Sequence, residues 1–255
     1  MKHWKENILA PLAFTVALIV LWDIACVLFG LPATVLPTPS AVAKALVQYW
    51  PAVWTNSLQT LMTTLLGFGL AIVFGLILGV AIGWSKLIYG ALYPVMIAFN
   101  AVPKVAVVPI LIIWFGIGTI PAIFTAFLIS FFPIVVNVAT GLATTEPELQ
   151  DVLRALGASK LDVVRKVGIP RSMPYFFGSL KVAITLAFVG SVVSETIGAN
   201  SGLGKMMLDA QAGFNVELVF AGVAALAILG IALYALTALV EKRFTGWAFR
   251  AEGIG

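Results

Sequence analysis

The sequence predicts an all-α membrane protein with six transmembrane helices, and three observations lead to that fold class. Hydrophobic residues make up 61% of the 255 positions and charged residues only 10%, whereas soluble domains carry about 25% charged residues. The apolar residues form long blocks, each near the ~20 residues that a helix needs to cross a bilayer core. Cys26 and His3 are the single cysteine and histidine, which excludes a disulfide framework, a cysteine or histidine-rich metal site and a histidine-dependent catalytic dyad in this chain alone.

Six hydrophobic blocks are each expected to form a transmembrane helix within a single domain of residues 1–255. The first is interpreted as a retained span, because it is too long for a secretory signal and no small-x-small cleavage site follows it. The third is interrupted by Pro94, Pro103 and Pro109, and proline breaks or kinks a helix. The expected spans are residues 8–29, 58–84, 88–115, 120–142, 173–197 and 218–240.

A short amphipathic helix is expected between the first two spans. Leu36-Pro37-Thr38-Pro39-Ser40 is typical of a turn, and Ser40 is expected to cap a helix that runs through Trp50. We expect its apolar face to lie along the membrane surface or against neighbouring spans. The side chains that share this face at helical spacing are Val42, Leu46, Val47 and Trp50.

The positions of lysine and arginine predict the orientation, since cytoplasmic loops of membrane proteins are enriched in both. With the N-terminus in the cytoplasm, Lys44 and Lys205 lie outside and Lys104 and Lys181 lie within spans. Both termini are then cytoplasmic. The net charge of +4 is explained by this topology, and no nucleic-acid partner is expected. The basic residues on the cytoplasmic side are Lys2, Lys5, Lys86, Arg154, Lys160, Arg165, Lys166, Arg171, Lys242, Arg243 and Arg250.

A polar stretch at residues 145–170, which we call the insert, separates the fourth and fifth spans. Thr145 and Glu148 have the spacing of a capping box at the start of a helix, and Gly157 is expected to end that helix in the left-handed conformation. Ser159 is then expected to cap a second short helix, which Gly168 and Pro170 stop before the fifth span. The insert is therefore predicted to be two short helices that meet at a glycine elbow.

Two interpretations of the insert remain open from its pattern alone. It can be a solvated loop that its positive charge keeps in the cytoplasm. It can also be a docking element for a cytoplasmic partner, because apolar residues on so short a helix need a surface to bury them. The apolar residues of the first helix are Leu149, Val152, Leu153 and Leu156.

The insert resembles the "EAA" loop in permease subunits of binding-protein-dependent ABC importers. The resemblance rests on Asp151, on Gly157 six positions later, and on Val167-Gly168-Ile169-Pro170. Val152 and Leu153 stand where the family has alanines, and Asp151 replaces a glutamate. In that family the loop sits in a cleft on the ATPase. The resemblance implies ATPase coupling for Glu148, Asp151, Arg154, Ala155, Leu156, Gly157, Ala158, Ser159, Ile169 and Pro170.

Three further motifs resemble the nitrate/sulfonate/taurine branch of these permeases, which includes permeases for pyrimidine precursors of thiamine. They are Leu36–Ser40, Trp114-Phe115-Gly116-Ile117-Gly118 and the stretch Ser194–Gly204. The resemblance implies a type I ABC importer permease fold in the bacterial inner membrane, surrounded by membrane lipid. It also implies three kinds of partner: a second, identical permease subunit, two ATPase subunits that bind ATP and magnesium, and a periplasmic binding protein. No cofactor is expected in this chain.

Polar residues within the spans are candidates for the translocation pathway, because burying them is costly. Lys104 follows Pro103 in the broken third span, and a cation there suits an anionic solute. The resemblance implies a small organic or inorganic solute that is similar to a sulfonate, taurine or nitrate, or to a pyrimidine. A structural ion pair or an interfacial anchor remains open for Lys104 and Glu195, and Lys181 is expected to snorkel. The candidate pathway residues are Asn100, Lys104, Ser130, Asn137, Ser191, Ser194 and Glu195.

Other functions fit the sequence less well. Gly202-Leu203-Gly204-Lys205 suggests a phosphate loop, but Ala199 stands where the first Walker glycine belongs and Met206 where serine or threonine is needed. The chain is therefore not expected to be an enzyme. An ion-coupled secondary transporter or channel would need inverted repeats or a relay of buried carboxylates, and the sequence shows neither. An intramembrane protease would need a membrane histidine or paired aspartates, and the predicted spans contain neither.

Overall fold

The computed structural model describes residues 2–143, 152–153 and 155–245, and these residues form helices and short connections without any strand. A 3-10 turn, Lys104–Val107, precedes the helix Val108–Phe115, and a π-helical turn, Val164–Gly168, precedes the helix Ile169–Gly198. In chain order the helices are α1 Lys2–Leu28, α2 Pro39–Gln48, α3 Trp50–Gly83, α4 Lys86–Ala101, α5 Val108–Phe115, α6 Thr119–Ala143, α7 Lys160–Val163, α8 Ile169–Gly198, α9 Leu203–Ala212 and α10 Val216–Thr245.

The helices agree with the expected spans in number and place. Five stretches are long and apolar enough to cross a membrane, and the pair α4–α5 makes a sixth if a bend of 73° is counted within one span. The predicted interruption of the third span is confirmed, since the chain leaves the helix at Val102 and Pro103 begins the 3-10 turn. Helices α3 and α10 extend beyond the predicted blocks, because hydropathy marks only the part of a helix that lies in hydrocarbon.

The centre of the bundle is a parallel pair of helices, α3 and α6, that pack along a stripe of small residues. A Cβ atom added at Gly67 would lie 2.5 Å from Ala126 Cβ, and one added at Gly75 would lie 2.7 Å from Ile134 Cγ2. The backbones therefore approach as closely as glycine allows, as small residues permit between membrane helices. The stripe repeats every four residues and consists of Gly67, Ala71, Gly75, Gly79 and Gly83.

Helix α8 packs antiparallel to α6, and α10 packs antiparallel to α8. Gly141 of α6 faces Ser172 near the start of α8, whereas Gly190 near its end faces Ala126. The rings of Phe177 and Phe244 stack with centroids 5.3 Å apart, which places the end of α10 beside the first third of α8. The buried core between α3, α6 and α8 contains Ala71, Ile82, Phe131, Ile134, Val135, Val138, Ala139, Leu142, Leu180 and Ala183.

The expected boundaries of the short helix α2 are wrong. Thr38, not Ser40, is its N-cap, with Thr38 Oγ1 accepting a hydrogen bond from the Ala41 N–H at 3.3 Å. Pro39 has no N–H and a fixed φ, and it therefore suits the first helical position. The helix ends at Gln48, so Trp50 already belongs to α3. The side chains of α2 that pack against α1 and α10 are Val42, Ala45 and Leu46, whereas Val47 is exposed.

The expected end of the second insert helix at Gly168 and Pro170 is also wrong. The chain stays helical from Leu161 to Gly198, a stretch of 38 residues. Pro170 cannot donate a backbone hydrogen bond, and the helix changes register just before it: the Ile169 N–H bonds Val164 O in the π turn. The wider turn accommodates the proline without ending the helix. The insert therefore continues directly into the fifth span.

The small-residue stripe gives the first prediction. Gly75→Ala should lower the free energy of unfolding by about 1–3 kcal/mol, because the added methyl group overpacks the contact with Ile134. Gly69 is a matched control on the same helix, since a Cβ atom added there would have no neighbour within 4 Å. Gly69→Ala should stabilise the helix by about 0.5–1 kcal/mol. Thermal unfolding in detergent measures both variants, and equal effects would contradict the close packing of α3 on α6.

Candidate functional site

The carboxylate of Glu195 lies near the end of α8 and is almost completely buried, with 1% of the residue exposed. Thr60 Oγ1 donates a hydrogen bond to Oε2 at 2.9 Å, and the Gly204 N–H donates to the same oxygen at 3.0 Å. Thr63 and Ser191 donate to Oε1, each at 3.4 Å, and their hydroxyl groups also contact each other. Side chains of α3 and α8 and the backbone of α9 thus meet at one carboxylate.

The N-terminus of α9 is held by side chains from other helices. The first N–H groups of a helix lack partners within it, and Gly202, the N-cap residue, has no side chain to accept their hydrogen bonds. Two spans supply the acceptors instead. The Gly202 N–H bonds Asn56 Oδ1 at 2.8 Å, the Leu203 N–H bonds Thr60 Oγ1 at 2.9 Å, and the Gly204 N–H bonds Glu195 Oε2 at 3.0 Å.

No lysine or arginine lies within ion-pair distance of Glu195 in the part of the chain that the structure describes. Hydrogen bonds from three hydroxyl groups and one backbone amide therefore offset the cost of burying the carboxylate. The ion-pair interpretation of Glu195 is wrong for the described residues. The geometry is that of a structural network, and a role for Glu195 in the translocation pathway stays a prediction.

The other polar residues of the spans do not converge on one pathway within this chain. Ser191 joins the network of Glu195, whereas Ser130 and Asn137 bond carbonyl groups of their own helix, at 2.6 Å to Ala126 O and 2.8 Å to Pro133 O. Such bonds satisfy a polar group without linking helices. Ser194 Oγ is buried and has no partner among the described residues. Roles of these residues in translocation stay predictions.

Lys104 lies at the bend of the third span. Its Nζ donates to the backbone oxygen and to Oδ1 of Asn100, both at 2.7 Å, and lies 6.0 Å from the ring centroid of Phe132. No carboxylate of the described residues lies within ion-pair distance of Lys104 Nζ. The ion-pair interpretation of Lys104 is therefore wrong for the described part of the chain. Asn100 is exposed, and the pair therefore presents a cation and an amide on the surface of the subunit.

Lys181 does not snorkel as expected. Its Nζ lies 2.6 Å from Glu241 Oε2, with 28% of the Lys181 side chain and 10% of the Glu241 side chain exposed. Glu241 does not stand out in the sequence, because it lies at the polar end of the sixth block, where acidic residues are common. This ion pair joins α8 to α10 near the insert, whereas Glu195 joins α8 to α3 and α9 at the other end of the same helix.

The described part of the insert has the expected elbow. Gly157 has φ +84°, which confirms the left-handed conformation. The Ala158 N–H bonds Leu153 O at 2.9 Å, which is the long bond of a Schellman motif. Ser159 and Asp162 form a capping box: the Ser159 N–H donates to Asp162 Oδ2 and the Asp162 N–H donates to Ser159 Oγ, both at 3.2 Å. The candidate residues Glu148, Asp151 and Arg154, and the cap at Thr145, lie outside the described residues.

The elbow displays apolar side chains at the surface. Leu156 beside Gly157 is 78% exposed, Leu161 in α7 is 61% exposed and Val152 is 57% exposed. Ala155 is also exposed, Ala158 and Pro170 are partly buried, and Ile169 is 44% exposed. The Leu156 N–H bonds Val152 O and the Ala158 N–H bonds Leu153 O, so backbone hydrogen bonds hold the direction of the chain where these apolar side chains are exposed.

A polar recess lies beside α9 at the opposite end of α8. Its volume is about 510 Å³, and it opens to the surface. Lys205 contacts Asp209 one turn further along α9, and Asn215 Nδ2 donates to Tyr49 Oη at 3.2 Å. The polar residues that line the recess are Asn56, Asn200, Lys205, Asp209 and Asn215.

Neither α9 nor the partners of Glu195 were predicted from the sequence. Of the three glycines in Glu195–Lys205, Gly198 ends α8, Gly204 lies inside α9, and only Gly202 has a positive φ, +113°. A signal for the partners was present. Thr60, Thr63 and Thr64 recur at helical spacing in an otherwise apolar block, and all three are buried.

Comparison with known proteins identifies relatives over most of the chain. The family described as "Binding-protein-dependent transport system inner membrane component" matches residues 71–246. A riboflavin transport system permease protein of Chloroflexus aurantiacus is 35% identical, with 90% of this chain and 87% of the relative covered. A formylaminopyrimidine transport permease protein of Halalkalibacterium halodurans is 30% identical, covering 94% and 96%. The taurine transport system permease protein of Escherichia coli is 28% identical, covering 91% and 86%.

A solved structure shares the fold. An inward-facing conformation of the MetNI methionine ABC transporter aligns with a TM-score of 0.67 at 21% identity, covering 78% of this chain and 98% of the other. The expected permease fold is therefore confirmed. The relatives named for taurine and formylaminopyrimidine transport confirm the expected branch.

The ion pair between Lys181 and Glu241 gives a prediction. Lys181→Met or Glu241→Met should each lower the free energy of unfolding by up to about 3 kcal/mol, because the remaining charge loses its partner. The double variant should lose less than the sum of the two, which thermal unfolding in detergent can measure. Lys205→Met, which breaks a more exposed pair, is the control and should cost less than about 1 kcal/mol. Additive losses would show that the pair does not couple α8 to α10.

Proposed function

The chain belongs to the family of inner-membrane components of binding-protein-dependent transport systems, and on that premise we propose that it forms the solute pathway of an ABC importer. The observation that carries this proposal is the continuous helical stretch Leu161–Gly198. It begins in the exposed elbow of the insert, and the buried carboxylate of Glu195 lies near its other end. A displacement at the insert can therefore reach the far end of the bundle along one continuous helical stretch.

The partner at the insert is proposed to be a pair of separate ATPase subunits, which bind ATP and magnesium. Leu156 and Leu161 are large apolar side chains that are 78% and 61% exposed, and a groove on another protein would bury them. The backbone bonds around Gly157 hold the two side chains in a defined arrangement, which a docking element needs and a solvated loop does not. ATP hydrolysis belongs to these partners, so this chain is not an enzyme.

Two further partners complete the proposed importer. A second copy of this chain would build the pathway, since six spans are few for a transport core. The large exposed apolar side chains of α5, including Ile113 and Trp114 at 79% and 70%, give this copy or membrane lipid a surface to cover. A periplasmic binding protein would deliver the solute. The distribution of lysine and arginine supports an orientation with both termini in the cytoplasm, for a chain that crosses the bacterial inner membrane several times.

The proposed solute is a small organic molecule with an anionic or acceptor-rich group. Two observations support this class. Lys104 and Asn100 present an ammonium group and an amide at the bend of the third span, and these groups bind sulfonate, carboxylate or heterocyclic acceptors. The relatives are named for riboflavin, formylaminopyrimidine and taurine, which are acceptor-rich, and taurine carries a sulfonate.

The ATPase partner is tested by Gly157→Val. A β-branched residue is strained in the left-handed conformation, by at least about 1–2 kcal/mol, so the elbow should turn away from its present direction. We expect the variant to insert into the membrane but to lose co-purification with the ATPase and coupled uptake. Gly30→Val is the matched control, because Gly30 also has a positive φ, +57°, in open space. Normal ATPase binding by Gly157→Val would contradict the docking interpretation.

The solute class is tested by Lys104→Met and Lys104→Arg. Cells would carry the permease with its proposed ATPase and binding-protein partners, and uptake of labelled taurine, riboflavin and formylaminopyrimidine would be measured. Loss of the cation should lower uptake of the transported solute by about tenfold or more, as loss of a charge-assisted hydrogen bond does, whereas arginine should retain most of it. The amount of assembled complex should stay constant. A parallel loss of assembly would instead show that Lys104 is structural.

A further inference from the structure

Helix α9 is bound to the bundle through its N-terminus, and this attachment has no part in the proposed function above. Three successive amide groups, those of Gly202, Leu203 and Gly204, donate to side chains of α3 and α8. The carboxylate of Glu195 is the one charged acceptor among them. A negative charge at a helix N-terminus is favourable, because the unpaired amides and the helix dipole both point towards it.

The start of α9 packs closely against the Glu195 side chain and the backbone of α8. A Cβ atom at Gly202 would overlap Glu195 Cδ, and one at Gly204 would lie 2.5 Å from Val192 O. Glycine is therefore required at both positions, and at Gly202 the φ of +113° requires it independently. The backbone at the start of α9 lies directly against α8, so a displacement of one helix must either carry the other with it or break the hydrogen bonds to Glu195.

The helix on which Glu195 lies is the one that starts in the insert. Leu161–Gly198 contains 38 residues, which corresponds to a length of about 57 Å. Glu195 is three residues from its far end. The same carboxylate accepts hydrogen bonds from Thr60 and Thr63 of α3. One end of this helix therefore meets the proposed ATPase partner, and the other end meets α3 and α9 through a single buried group.

We propose that Glu195 is a positioning residue that couples α9 to the helix bearing the insert, so that α9 moves together with that helix when the partner ATPase closes. Because α9 lines the polar recess of Asn56, Asn200, Lys205, Asp209 and Asn215, the recess changes shape in the same step. The inference rests on the proposed function for the source of the motion. The coupling itself rests on the hydrogen bonds and the excluded space at Glu195.

The test compares Glu195→Gln with the unaltered chain in the purified complex with its ATPase. Glutamine has nearly the same shape, but its amide group cannot accept from all the donors that the carboxylate serves. Hydrogen exchange of the amides at residues 203–208 should become about tenfold faster, because the start of α9 loses its charged cap. Exchange in the core of α3 and α6 should not change. Ser130→Ala is the matched control, since Ser130 is equally buried but bonds only its own helix.

A second measurement follows the motion. Gln211, exposed on α9, is replaced by cysteine in a Cys26→Ala background, and its labelling by a maleimide is timed without nucleotide and with MgATP and vanadate. The rate should differ between the two states in the Gln211→Cys chain. In the same chain with Glu195→Gln the difference should disappear, while the ATPase still hydrolyses ATP. A merely structural role of Glu195 would lower assembly and leave the nucleotide response of the assembled fraction intact.

The outcomes separate the inference from the function on which it rests. Unchanged exchange in α9, or a nucleotide response that survives Glu195→Gln, overturns the coupling and leaves the importer function standing. Failure of the unaltered chain to bind any ATPase overturns the function instead. If Glu195→Gln does not assemble, Thr60→Val is measured in the same way, because it removes the cap of Leu203 and one donor to the carboxylate. Unchanged hydrogen exchange in α9, or a nucleotide response that survives Thr60→Val, would then overturn the coupling.

Discussion

A carboxylate buried inside a bundle of membrane helices needs hydrogen bonds in place of water, and the arrangement at one end of this protein follows from that need. Glu195 has no cationic partner in the described part of the chain, so its charge is offset by hydroxyl groups and a backbone amide. These donors come from α3, α8 and α9. The Glu195 carboxylate thereby holds α3, α8 and α9 close together. It also requires the turn at Gly202, which precedes α9, to pass directly against it.

The close packing of α3 on α6 places the donors for that carboxylate. Helix α3 carries the stripe of small residues from Gly67 to Gly83 and, one to two turns earlier, Thr60 and Thr63. Because the stripe allows only one depth of packing against α6, the threonines are held at a defined distance from α8. Packing in the apolar half of the helix and hydrogen bonding in its polar half therefore support each other.

The third span is bent and exposes polar groups, in contrast to the closely packed helices α3 and α6. The bend of 73° between α4 and α5 leaves backbone groups outside regular helix, and such groups are tolerated at membrane depth only where protein or water covers them. Lys104 lies at this bend with Asn100 as its partner. The protein thus combines a tightly packed unit of α3, α6, α8 and α9 with a broken span that displays its polar groups.

The sequence by itself determined the features that depend on composition or on neighbours along the chain. The six apolar blocks, the break near Pro103, the left-handed Gly157 and the capping box at Ser159 are local, and the structure has each of them. Tertiary structure decided the rest. Thr60 and Glu195 are 135 residues apart, and Lys181 finds Glu241 on another helix, so no local pattern pairs them. The helix that continues through Pro170 and the cap of α9 depend likewise on packing, because a proline or a bare N-terminus is tolerated only where neighbouring groups satisfy the backbone.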